Sequence, residues 1–393
     1  MMKREDGFTL VELIITLAMT VLFLTAVSTI FTGLLTQFKQ QGKIAESNIE
    51  GIIGLEGMRK DMESAGYGLP WDLQGAVYSE AADDPNTPWD DTILNDAPNN
   101  PPAALRSKPQ VSMNASSDVL SVKSVGVAQN SASQKWTQLF LNNIKKNGLS
   151  GASFAPTDLL TGIYSTLDSN GNPTRVLARD SSAKWAATYS NTLPLAPGPA
   201  SGLAGSFPEV GASDTLSVFI VYGIDPGTGG VATLRMPFNR ADFYVRTPNT
   251  NFPTQCAPGT GVLYKGVINQ KDGKLNELPL LDCVAAMHVT FYVDQSGSND
   301  GTLLQYTNDL STLPVPAPGV SSAENIRNRV KEVRVYILAQ EGQRDPSYTY
   351  PNNKVTLAAA PDSTQDVDMT TITNYQNYRW KQYTVVAKPS NLR

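Results

Sequence analysis

The sequence is poor in the residues that most catalytic and metal sites use. Of its 393 residues only one is a histidine, His288, and two are cysteines, Cys256 and Cys283. A single histidine excludes most histidine-dependent catalysis and histidine-rich metal centres. Two cysteines are too few for zinc ribbons or iron–sulfur clusters, which need about four thiolate or mixed ligands. They allow one disulfide.

Charge is also scarce. Charged residues make up 17% of the chain, and 31 lysines and arginines against 36 aspartates and glutamates give a net charge of −5. A basic surface is the usual footprint of a nucleic-acid-binding protein, so this balance argues against a nucleic-acid partner. The sequence also lacks nucleophilic-serine, Walker and dinucleotide-binding patterns. These features together predict neither a cofactor nor an enzyme activity.

The N-terminal region contains a long apolar run. Between Glu12 and Lys39 lie 26 residues without a charge. As a helix they extend about 39 Å, which exceeds a hydrocarbon core of about 30 Å. The run is too long for the apolar part of a cleaved secretory signal, and no small-residue cleavage site follows it. The sequence therefore predicts a helix that crosses a membrane.

Glu12 is not accounted for by a plain membrane anchor. A carboxylate inside an apolar span is costly and is usually paired, and the span offers no partner nearby. A partner outside the chain is therefore expected. Cleavage after Gly7 would give Phe8 a free α-amino group, which a neighbouring copy could present to Glu12.

The start of the chain resembles the class III signal of type IV prepilins and of type II secretion pseudopilins, on Gly7-Phe8-Thr9-Leu10-Val11-Glu12-Leu13. The resemblance implies cleavage between Gly7 and Phe8 by a prepilin peptidase and N-methylation of Phe8. It also implies that Glu12 sets register and recruitment through the N-terminus of an adjacent subunit. Lys3 and Arg4 fit a cytoplasmic leader.

Later segments resemble PilW-type minor pilins. The similar stretches are Pro279-Leu280-Leu281-Asp282-Cys283-Val284, Phe291-Tyr292-Val293-Asp294, the helix-to-strand region 326–338, and Asp61-Met62-Glu63-Ser64-Ala65-Gly66-Tyr67-Gly68. This resemblance implies an α+β pilin-like fold, with a long N-terminal helix packed on a large antiparallel β-rich domain. Implied partners are other minor pilins, the major pilin, the inner-membrane assembly platform and a tip adhesin.

The predicted organisation has three parts: a leader at 1–7, a helix at 8–64 and a β-rich domain at 65–393. Past the membrane, Ile49, Leu55, Met58 and other apolar residues are spaced for one helical stripe. Long loops are predicted at 75–115 and 190–212, others at 150–170 and 311–322, and a short helix at 135–146. Strands are predicted at 119–127, 174–178, 215–222, 231–238, 242–246, 262–268, 284–293, 333–339 and 383–388.

Candidate ligand sites are few. Asp168 begins a stretch like a calcium loop, and Asp294 and Asp300 supply oxygen ligands around another turn, but the glycine spacing differs from a calcium loop in both. Both fit β-turns better. The acids Asp83, Asp84, Asp90, Asp91 and Asp96 fit a solvated loop, and His288 a structural position. The cysteines are predicted to form a Cys256–Cys283 disulfide in an oxidising compartment, with two buried free thiols as the alternative.

Three functions are compatible with these features. The first is a minor pilin that helps to initiate or cap a type IV pilus, held in the bacterial inner membrane with a periplasmic domain before assembly and exposed on the pilus afterwards. The second is a minor pseudopilin of a type II secretion system. The third is a membrane-tethered enzyme or receptor, which would need a catalytic cluster that the sequence does not show. The chain's size and the PilW-like segments favour the first.

Overall fold

One long helix and an eight-stranded antiparallel sheet dominate the structure, which is a computed structural model. The structure describes residues 9–69, 78–83, 90–112, 117–128, 136–140, 143–147, 159–167, 173–177, 186–188, 218–224, 235–236, 238–269, 272–296, 303–314, 318–358 and 363–392. The predicted α+β fold class is confirmed.

Helix α1 spans Leu10–Glu63, close to the predicted 8–64. It ends shortly before Gly66 and Gly68, whose positive φ angles of 82° and 74° glycine adopts at little cost. The C-terminal segment of the chain closes this end, because Ser390 N donates to Glu63 O at 3.2 Å. A second helix, α2, spans Ser322–Arg329 and leads directly into a strand, as the predicted helix-to-strand region requires.

Sixteen strands lie in the described part of the chain. They are β1 (Leu105–Ser112), β2 (Ser117–Ser124), β3 (Trp136–Phe140), β4 (Asn143–Asn147), β5 (Leu159–Leu167), β6 (Pro173–Leu177), β7 (Ala186–Thr188), β8 (Val218–Ile224), β9 (Asn239–Arg246), β10 (Gly261–Ile268), β11 (Leu275–Asp294), β12 (Leu304–Thr307), β13 (Val330–Glu341), β14 (Lys354–Leu357), β15 (Gln365–Asp368) and β16 (Arg379–Ala387).

The large sheet has the order β1-β2-β9-β10-β11-β13-β16, with β12 paired to β11. Its inner face shares one core with the distal part of α1, including Met58, Met287 and Val335. On the outer face, the hairpin β14–β15 covers a second cluster around Tyr336 and Leu338. A separate six-stranded sheet, in the order β4-β3-β8-β5-β6 with β7 on β5, is inserted in sequence between β2 and β9.

Strand β11 changes partner midway along its length. Its first half pairs with β10, and from Val284 onward it pairs with β13. Cys283 has a φ of 56° at this change, and both ladders shift register nearby. Such a bulge bends a strand and increases its twist. Cys283 is joined to Cys256 by a disulfide, so the bend is tied covalently to the segment before β10.

Several predicted loops and one predicted helix are wrong. The loop predicted at 75–115 contains β1, and the loop at 150–170 contains β5. The helix predicted at 135–146 is replaced by β3 and β4, because β8 pairs with β3 and supplies the hydrogen bonds of a sheet. The loop predicted at 311–322 overlaps a 3₁₀ turn at Leu310–Thr312 and the first residue of α2.

The strand predicted at 231–238 is not formed by its described residues, and β9 begins only at Asn239. Pro237 offers no N–H for a sheet ladder, which disfavours a strand there. The loop predicted at 190–212 lies outside the described residues.

The acidic segment before β1 is not a solvated loop throughout. Asp91 and Asp96 are buried, whereas Asp83 and Asp90 are exposed, and Asp84 lies outside the described residues. Asp96 lies 2.6 Å from the buried Lys123 ammonium. Burial opposes ionisation of Asp96, but Lys123 and Arg106 outweigh it and lower the pKa of this carboxyl.

Glu80 extends the same buried network. It accepts from Lys123 at 2.6 Å and from Arg240 at 3.0 Å, and Arg240 also pairs with Asp242 at 2.7 Å. Cations on β2 and β9 therefore hold the acidic segment against the sheet. The sequence prediction missed this because the cations lie far away along the chain.

Candidate functional site

The start of α1 is organised by Thr9 and Glu12. Glu12 Oε2 accepts from Thr9 N at 2.9 Å and from Thr9 Oγ1 at 3.0 Å, and Glu12 N donates to Thr9 Oγ1 at 3.3 Å. This reciprocal arrangement is a capping box. Glu12 thus has a local partner in Thr9, which lies just before the apolar span, and its pairing with a neighbouring subunit stays a prediction. The pattern Thr-x-x-Glu at the start of an apolar run was the signal that the sequence prediction overlooked. Gly7 and Phe8 lie outside the described residues.

The first two thirds of α1 form an unburied apolar rod. The segment Leu10–Ala45 has a mean hydropathy of 2.4, and none of its most apolar stretch is buried within the chain. Threonine hydroxyls in this segment donate to backbone carbonyls one turn earlier, as Thr20 does to Thr16 O at 2.7 Å and Thr25 to Val21 O at 2.8 Å. These bonds satisfy the hydroxyls without water, so the rod suits a membrane interior.

The distal part of α1 has two apolar faces, which corrects the prediction of one stripe. Leu55 and Met58 are buried against the sheet, and Met62 continues that face. Ile49, Ile52 and Ile53 instead point away from the sheet and are 60%, 62% and 69% exposed. The domain therefore covers one face of the helix and leaves an isoleucine face open.

Gly54 sets the closest approach between α1 and the sheet. A Cβ built on Gly54 would lie 2.2 Å from Leu280 O on β11. A Cβ on Gly51 would meet only side-chain atoms, with Leu281 nearest at 3.1 Å and Tyr383 at 3.8 Å, and one on Gly57 would meet nothing within 4 Å. The absence of a side chain at Gly54 thus lets the helix backbone rest against the first half of β11.

A buried ion pair fixes the same helix–sheet contact about two helical turns further on. Lys265 Nζ on β10 lies 2.6 Å from Asp61 Oδ2 on α1, and the lysine side chain is 1% exposed. Burial raises the pKa of Asp61, and the nearby ammonium of Lys265 opposes that rise. Because each charge is compensated by the other, loss of either one would leave a charge buried inside the helix–sheet contact.

At Asp294, the one calcium candidate among the described residues, the side chain makes a bond typical of a turn. Asp294 Oδ1 accepts from Ser296 N at 2.8 Å, which is a turn-forming bond. Asp168 and Asp300 lie outside the described residues. Among the described residues, no group of three or more histidine, cysteine, aspartate or glutamate side chains is placed to hold a metal ion.

His288 is buried in the large sheet, at a position consistent with the predicted structural role. Its Nδ1 lies 2.8 Å from Asp118 Oδ2, and its Nε2 lies 3.1 Å from Ser363 O. Asp118 Oδ2 also accepts from Val289 N at 2.8 Å. These contacts connect β2, β11 and the segment before β15.

Family comparisons agree with this architecture. Residues 2–28 match the prokaryotic N-terminal methylation motif, and residues 242–391 match the family described as Type IV Pilus-assembly protein W, or PilW. Neither a curated protein nor a solved structure matches the chain. The chain therefore carries a prepilin methylation motif at the start of a helix that is long and apolar enough to cross a membrane. Its C-terminal part, residues 242–391, is similar to a family described as a type IV pilus-assembly protein.

Proposed function

We propose that this protein is a minor pilin of a type IV pilus, a non-enzymatic subunit that helps to initiate the filament or caps its tip. One observation carries the proposal: the helix that bears the methylation motif is docked at its distal end on a PilW domain and is otherwise uncovered. A minor pseudopilin of a type II secretion system is the alternative. The PilW match favours the pilus.

The proposed organisation follows the predicted boundaries. Residues 1–7 are a leader that a prepilin peptidase removes, after which Phe8 is methylated. Residues 8–64 form the membrane and assembly helix, and 65–393 form a periplasmic domain that moves to the cell surface with the pilus. The mean hydropathy of 2.4 over Leu10–Ala45 supports membrane residence before assembly.

The two uncovered parts of α1 supply the proposed contacts with other pilins. The apolar rod leaves the bilayer only if neighbouring helices replace the lipid around it. The exposed face of Ile49, Ile52 and Ile53 continues that surface beyond the membrane, so the same neighbours can cover it. The assembly platform and a tip adhesin remain proposed partners of the domain.

Glu12 supplies the test of assembly. In the free subunit its carboxylate is held by Thr9, and in the filament we assign its partner to the α-amino group of an adjacent Phe8. In cells, Glu12→Ala should leave cleavage and membrane insertion intact but reduce the subunit's content in sheared pili several-fold. Immunoblots of the membrane and sheared fractions measure both quantities.

Thr9→Ala is the matched control, because it removes the local cap and keeps the carboxylate. If Glu12 acts between subunits, Thr9→Ala should enter pili nearly as well as the unchanged protein. Equal losses for both variants would show that Glu12 acts only as a helix cap. Normal pilus content for Glu12→Ala would contradict the assembly role.

A further inference from the structure

An open cleft with both polar and apolar lining lies between α1 and the segment that follows β13. Its volume is about 880 Å³, within the range of about 300–1,000 Å³ that small-molecule sites occupy. The helix contributes Gly33, Gln37, Gln41 and Ile44, which share one face because they are three or four residues apart. The two walls meet at Ile44, whose Cγ1 lies 2.9 Å from the Cβ position of Gly342.

The position of the cleft along α1 places it at a membrane surface. Gly33 lies 21 residues after Glu12 and Ile44 lies 32 residues after it, which is about 32 Å and 48 Å along a helix. The hydrocarbon core is about 30 Å thick. With Glu12 at one edge of that core, the cleft starts at the opposite edge and continues through the layer of lipid headgroups.

The domain wall of the cleft supplies cationic donors. Arg344 and Arg379 both line it. The exposed Arg344 donates to Asn377 Oδ1 at 3.3 Å, and a guanidinium has five N–H donors in all. Planar guanidinium groups recognise phosphate oxygens well, so Arg344 suits an anionic phosphate.

The acid in this wall is already engaged. Asp345 Oδ1 accepts from Ser347 Oγ at 2.6 Å, and Asp345 Oδ2 accepts from Arg379 Nη2 at 3.1 Å. Asp345 is 5% exposed, so these bonds fix the wall from within. Two arginines and one aspartate leave the lining residues with one net positive charge. The amides of Gln37 and Gln41 add neutral donors on the helix side.

We propose that this cleft binds the phosphate of an anionic phospholipid headgroup from the periplasmic leaflet while the protein is in the membrane. The proposal requires α1 to span the bilayer and does not depend on a role in a pilus. The lipid is favoured over free phosphate because the apolar rod brings the cleft to the headgroup layer. It is favoured over a neighbouring pilin helix because Arg344 and Arg379 give the lining a net positive charge, which an apolar helix would leave without a counter-charge.

The test uses the full-length protein in detergent, with binding measured by native mass spectrometry. The probes are dioctanoyl phosphatidylglycerol, dioctanoyl phosphatidylcholine and inorganic phosphate. One phosphatidylglycerol should bind per chain, more tightly than phosphatidylcholine. Arg344→Gln should weaken that binding about tenfold, in line with the loss of a charge-assisted hydrogen bond. Arg344→Lys should retain most of it.

Lys39→Gln is the control of equal charge. Lys39 lies on the side of α1 away from the cleft, about 200° around the helix at about 100° per residue. Its loss should change binding less than about twofold, because solvent ions screen an exposed charge at that separation. If Arg344→Gln and Lys39→Gln weaken phosphatidylglycerol binding equally, the lipid is attracted by the overall charge of the protein and the proposed site is wrong. Phosphate that binds as tightly as the lipid would overturn the lipid assignment. A third outcome is that no lipid binds and that a Gln41→Cys variant cross-links to a second copy in membranes. That outcome would overturn the proposal and assign the cleft to a contact between subunits.

Discussion

Substitution of Gly54 by alanine should weaken the docking of α1 on the sheet. The new Cβ would lie 2.2 Å from Leu280 O and 2.9 Å from Leu280 C, whereas contacts of this kind are comfortable at about 3.5 Å. The helix or β11 must therefore move by roughly 1 Å. Overpacking typically costs about 1–3 kcal/mol, and the better helix propensity of alanine returns up to about 1 kcal/mol. We expect a net loss of about 1–2 kcal/mol.

Two neighbouring glycines make this prediction selective. Gly57→Ala meets nothing within 4 Å, so it should stabilise the protein by about 0.5–1 kcal/mol through helix propensity alone. Gly51→Ala meets a movable Leu281 methyl group at 3.1 Å and should lie between the other two. Urea unfolding of the full-length protein in detergent, followed by tryptophan fluorescence, gives the three free energies. The same change in all three variants, or a stabilised Gly54→Ala, would refute the close-approach argument.

Three further outcomes are expected. Asp61→Asn should destabilise the protein by about 3–5 kcal/mol in the same urea assay because Lys265 stays buried without its partner, and an added Lys265→Met should recover part of the loss. Reduction of the disulfide should lower stability by about 3 kcal/mol in the loop-entropy account, and maleimide labelling of unfolded, unreduced protein should find no thiol. Hydrogen bonds from Ser347 and Arg379 lower the pKa of Asp345. The contribution of Asp345 to the free energy of unfolding should therefore be complete near neutral pH and be lost as acid protonates the carboxylate. Urea unfolding at a series of pH values measures this loss.

The sequence predicted best those elements whose pattern is local. The apolar run and the glycines beyond it defined α1 to within two residues at each end. Alternation predicted the parts of β10 and β13 that lie in the sheet centre. It failed for β1, where Pro109 disfavoured a strand; β1 lies at the sheet edge, where proline is tolerated. The alternation also predicted only residues 284–293 of β11, because Pro279 and the bulge at Cys283 interrupt the pattern in the first half of the strand.

Features that depend on distant residues could not be predicted in this way. In the distal part of α1, the spacing of apolar residues could not show that Met58 faces the sheet while Ile52 faces away, because both residues are apolar. The burial of Asp96 depends on Lys123, whose strand is separated from it by β1. Glycine weakens a helix, so the sequence alone gives no reason for Gly54. Only the 2.2 Å between its Cβ position and Leu280 O shows why a side chain is excluded there.

The N-terminal residue of the working protein decides whether this chain is processed as a prepilin. Assembly as a pilin requires removal of residues 1–7, so that Phe8 becomes the first residue and can face Glu12 of a neighbour. Mass spectrometry of the protein recovered from sheared pili should find an N-terminal peptide that begins at a methylated Phe8. Functional protein that keeps its Met1 terminus would contradict the prepilin account and with it the assignment as a pilus subunit.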